Sequence, residues 1–226
     1  MSAFDYWHTI WILVHVLLFV YWLGGDLGVF YGSRFRNSNA QDVPTRQLIG
    51  KITGAVDMAP RTTLVLMMPV GLTLAADLDL SPVTGWWLGL VWIASLAWLW
   101  LVWRVHLEAS PERKKRLAGF DMRLRWLVLV VLTVSALSTF ISGEPFGENW
   151  LAVKVLLYAA MIGCGIMIRI TIKPYGAAFQ SLVDNGSTPE TEATIQAVAK
   201  VSRRWVKTIW ALLLVAAWFG IAQPNI

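Results

Sequence analysis

Six long apolar runs, each close to the thickness of a bilayer core, alternate along the chain with hydrophilic stretches. They cover roughly residues 9–31, 58–76, 86–103, 126–142, 150–168 and 206–221. A helix needs about 20 mainly apolar residues to cross the hydrocarbon. Backbone amides in that medium must be satisfied inside the segment, which only helices and closed barrels achieve. The pattern predicts an all-α, polytopic transmembrane helical bundle of about six spans, with residues 1–226 forming a single integral membrane domain. Asp5 and His8 precede the first run, which lacks a basic lead and is too long for a cleavable signal, so it reads as a span. Arg61, inside the second run, is compatible because a long cationic side chain near a helix end reaches the interface.

The polar stretches divide by charge. The first carries Arg34, Arg36, Arg46 and Lys51; the third carries Arg104, Arg113, Lys114, Lys115, Arg116, Arg123 and Arg125. The fifth carries Arg169, Lys173, Lys200, Arg203, Arg204 and Lys207. No Lys or Arg falls in the second or fourth, which hold Asp77 and Asp79, then Glu144 and Glu148. The positive-inside rule makes the basic stretches cytoplasmic and places the N-terminus and C-terminus outside. Residues 170–205 are expected to be a cytoplasmic loop with an amphipathic helix. Pro174 opens this loop, Asp184-Asn185-Gly186-Ser187 forms a turn, and Ser187 or Thr188 starts a helix that runs into the last span.

Composition agrees with lipid as the solvent. Hydrophobic residues make up 57% of the chain and charged ones 15%, and a soluble globule of this size could not hide so much apolar surface. The 14 Trp suit membrane–water boundaries. A net charge of +5 does not indicate nucleic acid, because the cations sit in topology-setting loops. Cys164 is alone, which excludes an intramolecular disulfide and leaves it as a packing residue. A displacement of 64 residues aligns Asp57-Met58 with Asp121-Met122, Arg61 with Arg125 and Trp86 with Trp150. This is a possible weak parallel repeat of residues 51–104 and 115–168.

Candidate chemistry lies mainly on the first span. His8, Trp11, His15, Phe19, Trp22 and Asp26 are spaced 3, 4, 4, 3 and 4 apart, forming one helical stripe. Ionisable groups within a span are expensive and face protein or a ligand. His15 therefore either hydrogen-bonds across helices or holds a cofactor. Gly24, Gly28 and Gly32 form a small-xxx-small series that lets another helix approach. Lys154, one turn below Trp150, lies at a depth similar to His15 and either snorkels outward or joins it. His106 falls past the far end of the third span, as a solvated loop residue. Asp26, Arg61 and Arg125 come to similar depth at the inner end and are expected to pair, with Arg61 and Arg125 alternatively contacting haem carboxylates or lipid phosphates. Asp57 and Asp121 are expected as caps or loop partners. Most third-span tryptophans serve as belt or packing residues; Trp92 and Trp103 are placed to wall a ring-shaped cofactor.

The run I-L-V-H-V-L-L-F-V-Y-W-L-G-G at 12–25 and the segment W-L-A-V-K-V-L-L at 150–157 resemble spans of small bacterial membrane haem proteins. These are the oxygen-independent protoporphyrinogen oxidase family and the related copper-resistance D family. The resemblance covers about 40 residues and implies a helical bundle holding haem b, with His15 and Lys154 as the matching positions. The chain departs from the family in having about six spans instead of four or five, and in lacking an obvious His on its second or third span. The expected function is a haem-b-binding or redox-active protein of a bacterial inner membrane, cofactor-binding through His15, Lys154, Arg61, Arg125 and Trp22. It would take part in electron transfer or a membrane oxidoreductase reaction, with a quinone or porphyrin-type substrate. Two alternatives remain: a copper or other metal-ion permease using His8, His15 and methionines such as Met67 and Met68, and a non-catalytic subunit docking partner subunits or a second copy of itself.

Overall fold

The computed structural model describes residues 3–225, with side chains from Tyr6 onward. Among these residues all regular structure is helical: α1 (Ala3–Arg36), α2 (Val43–Val56), α3 (Met58–Asp77), α4 (Gly85–Leu107), α5 (Pro111–Ser142), α6 (Asn149–Thr171), α7 (Lys173–Asn185) and α8 (Pro189–Ala222). Six segments are long and apolar enough to cross a membrane, with α2 continuing into α3 and α6 into α7. The chain is a multi-pass membrane protein, an all-α bundle of six spans.

Spans adjacent in sequence pack against one another. α1 lies on α3, α3 on α4, α4 on α5, α5 on α6, α6 on α8, and α8 returns to α1. The result is a ring closed in chain order. Trp22, Leu64, Val65, Trp98, Tyr158, Ile162 and Ile209 fill its interior. Large apolar side chains such as Ile93, Val130 and Ile141 point outward, as a lipid-facing surface requires.

Backbone approach sets the α1–α3 seam. A Cβ at Gly25 would meet Pro60 Cδ at 2.6 Å, and one at Gly28 would meet Val56 Cγ1 at 3.2 Å. Gly32 is closed off by Thr53, whereas Gly24 has nothing within 4 Å. The packing stripe is therefore Gly25, Gly28 and Gly32, which corrects the expected Gly24 series by one residue at its outer end. Indole donors tie α4 to α3: Trp92 Nε1 donates to Thr73 Oγ1 at 3.1 Å and Trp103 Nε1 to Thr62 Oγ1 at 3.2 Å. These two tryptophans act as interhelical rungs.

The basic side is more ordered than its charge suggests. The first hydrophilic stretch contains α2, whose N-cap Asp42 accepts from the Thr45 amide at 3.0 Å, with Pro44 in the first turn. In the stretch at 170–205, α7 precedes the Gly186 turn, and Thr188 caps α8 through a capping box with Thr191. Helices α5 and α8, of 32 and 34 residues, are about 50 Å long at 1.5 Å per residue. They exceed a roughly 30 Å core, so their polar first turns project on the basic side. His106 sits in the last turn of α4, edge-on to Trp103; that helix outruns its apolar stretch, so His106 is not a loop residue.

Candidate functional site

The outer half of the α1 stripe meets α3 through His8 and His15 and α4 through Trp11. His15 lies against α3, where a Cβ at Gly71 would stand 3.6 Å from His15 Cε1. Across the ring, Lys154 extends from α6 onto the α8 backbone. A Cβ at Gly220 would fall 2.6 Å from Lys154 Nζ, so the amine rests against the glycine and would have to move for a larger residue. Lys154 also lies over the Trp150 ring, with Nζ 5.9 Å from its centroid. His15 and Lys154 are close enough to interact electrostatically. The structure thus brings together the two residues singled out from the sequence.

His15 is not satisfied within the protein, and Lys154 has the Trp150 ring but no carboxylate beside it. His15 Nδ1 is buried without a hydrogen-bond partner, as is Trp11 Nε1 one turn outward. Trp11 packs on Trp92 with ring centroids 5.4 Å apart. Lys154 forms no ion pair among the described residues. Buried polar groups are normally paired, and an amine in a low-dielectric interior without an anion is costly. Two basic side chains, one packed on Gly71 and one on Gly220, and an unpaired indole N–H thus lie in the outer half of the bundle, donors of the kind that suit a ligand accepting nitrogen donors or carrying negative charge. Lys154 lies in the seam between α6 and α8, against Gly220.

The remaining candidates lie elsewhere. His8 Nδ1 approaches Asp77 Oδ2 at 3.4 Å, towards the acidic end, and does not converge with His15. Trp22 is 2% exposed and packs edge-on against Tyr158 at 6.3 Å, below His15. Tyr158 donates its hydroxyl to the Leu64 carbonyl. Among the described residues no group of three or more His, Cys, Asp or Glu converges as a metal site.

Arg61 and Arg125 belong to the basic half, and each pairs within its own helix. Arg61 bonds Asp57, and Arg125 Nε bonds Asp121 Oδ2 at 3.1 Å. Asp121 is not a cap, because α5 begins ten residues earlier, at Pro111. It is instead a buried hub that also accepts from Trp98 Nε1 at 2.8 Å and pairs with Arg169 at 3.0 Å. Arg125 lies over the Trp98 ring and keeps one buried unpaired nitrogen, Nη2. The expected pairing of Asp26 with Arg61 or Arg125 is not found among the described residues; local Asp57 and Asp121 carboxylates occupy both guanidinium groups. Gly71, Gly220 and Tyr158 were missed as site-forming residues. A lone glycine or tyrosine in an apolar run carries no spacing signal, and only the packing of α3, α6 and α8 gives these residues meaning.

Comparison with family models finds no match, and neither comparison with curated proteins nor comparison with solved structures finds one.

Proposed function

We propose that this protein is a haem-b-binding redox protein of a bacterial inner membrane, with the porphyrin seated in the outer half of the ring between α1, α3, α6 and α8. The observation that carries the reading is the buried, unpartnered Nδ1 of His15, with Lys154, which has no ion pair among the described residues, near enough to act on it electrostatically. A haem iron takes nitrogen donors of this kind, and bound haem would supply one-electron transfer. His15 would hold the iron through its imidazole, and Lys154 would be its second ligand from the opposite helix. Gly71 and Gly220 let the two donors pack directly against α3 and α8. The basic loops would face the cytoplasm, placing the site near the outer surface.

A second reading rests on Met67 and Met68. Both are partly buried beside the core and lie within one turn of Gly71, where His15 packs. Thioether and imidazole together suit Cu(I), and the protein would then be a copper permease.

An absorption spectrum of the purified protein separates these readings. A Soret band lost in His15→Ala and displaced in Gly220→Ala, with thermal unfolding little changed in either variant, supports the haem reading. The Gly220 change matters because the added methyl meets the mobile end of Lys154 rather than backbone. A colourless protein that binds stoichiometric copper overturns the haem reading in favour of the permease. A colourless protein that binds neither, but co-purifies with other subunits, leaves a structural role.

A further inference from the structure

A second polar cluster lies on the α1 stripe, eleven residues inward of His15, or about 16 Å at 1.5 Å per residue. Its centre is Asp26. The carboxyl oxygen Oδ2 is buried with no hydrogen-bond partner, and so is the indole Nε1 of Trp210 on α8. The Asp26 carboxyl faces Trp22 from its own helix, Trp210 from α8 and Asp57 from the α2–α3 junction. Asp57 is bonded to Arg61, and no cation pairs with Asp26 among the described residues. The charged group shown to act on Asp26 is thus a carboxylate.

A buried carboxylate without a cation or a full set of donors is one of the costlier groups a membrane protein can hold. Binding a proton removes the charge and turns an unpaired acceptor into an O–H donor. The route for that proton is polar. Asp57, which faces Asp26, is paired with Arg61, and their side chains are 28% and 38% exposed on the basic side. Towards His15 and Lys154, Trp22 and Tyr158 close the interior with an edge-to-face aromatic contact. We propose that Asp26 is a proton-binding site in the inner half of the bundle, exchanging with the basic-side aqueous phase past the Asp57–Arg61 pair. Trp210 orients the carboxyl, and the aromatic pair separates this site from His15 and Lys154.

Infrared spectroscopy of the full chain in lipid nanodiscs tests this directly, whether or not haem is bound. On acidification the wild type should gain a carboxylic acid C=O band that shifts in D2O and is absent in Asp26→Asn. Trp210→Phe should move the band without removing it. Identical spectra for wild type and Asp26→Asn in this region overturn the proposal. Should Asp26→Asn fail to accumulate, Asp26→Glu retains an acid at the position and must displace the band; an unmoved band places the proton elsewhere and equally overturns the assignment. Loss of the Soret band in the experiment above leaves this result untouched, so the two readings fail separately.

Discussion

At Gly25 the α1 backbone meets α3 with no side chain between them, and the nearest atoms belong to the Pro60 ring and backbone nitrogen. Neither can rotate away. A methyl at this position must push two helices apart, and overpacking of a tight seam costs typically about 1–3 kcal/mol. One residue earlier, Gly24 faces open space, so its methyl meets lipid or nothing. Gly25→Ala should therefore lower thermal stability in detergent distinctly, while Gly24→Ala should leave it unchanged or slightly raised, given the better helix propensity of alanine. Equal effects from the two substitutions would contradict the seam. The distinction between neighbouring glycines was beyond sequence reading: spacing alone favoured Gly24, Gly28 and Gly32, and helix rotation selects Gly25. His15 and Lys154 were legible for a different reason. An ionisable group in an apolar run stands out by its cost, whichever neighbour it finds.

Among the helices, the D-M-x-x-R motif acquires its meaning from where each helix begins. Both copies form an i,i+4 pair, Asp57–Arg61 and Asp121–Arg125. Helices α4 and α6 are related at both ends by the same 64-residue displacement that relates the motifs. The six spans could be read from hydrophobicity because each apolar run comes close to bilayer thickness. The true start of α5 could not, since residues 111–125 are charged and carry no apolar run. Asp121 consequently passed for a cap when it lies mid-helix and 1% exposed. Its partners are Arg125, 3% exposed, and Arg169, 23% exposed. Removing the shared carboxylate strands two cations, one fully enclosed, and breaking such a pair costs about 3–5 kcal/mol. The Asp57–Arg61 pair is substantially exposed, and exposed pairs contribute about 0–1 kcal/mol. Denaturant titration of Asp121→Asn against Asp57→Asn should separate the two copies by several-fold in destabilisation. Similar losses would mean that the buried cluster on α4, α5 and α6 does not hold those helices together.

For the molecule as a whole, ring closure depends on a clasp at the basic side that joins the first and last parts of the chain. Arg46 on α2 is 1% exposed. It donates Nε to the Arg36 carbonyl at 2.8 Å and both terminal nitrogens to Glu192 on α8, at 2.5 and 3.2 Å. Arg36 in turn lies over the Tyr175 and Phe179 rings of α7, and Tyr175 donates to Asn37 Oδ1 at 2.7 Å. None of these links spans fewer than ten residues, which is why charge counting saw loops here and missed a packed unit. Glu192 lies in the part of α8 that projects beyond the apolar run. The hydrogen bonds from Arg46, then that from Ser187, hold its carboxyl below the ordinary glutamate value. A carboxyl whose native value is depressed adds stability that is complete above its unfolded value and is lost as pH falls through the native one. Acidification from neutrality should therefore leave the clasp intact until the ordinary Glu value of 4.5 is passed, then release it. Amide hydrogen exchange of α2 and the first turns of α8 would register the release as faster exchange, while the central spans stay protected. In Glu192→Gln the charge-assisted bidentate pair is already gone, so the same segments should exchange faster at neutral pH and respond little to further acidification. A wild-type acid transition that persists unchanged in that variant would assign it to another carboxyl, and the link between α8 and α2 would then have to be held by Asn37, Tyr175 and Gln196 instead.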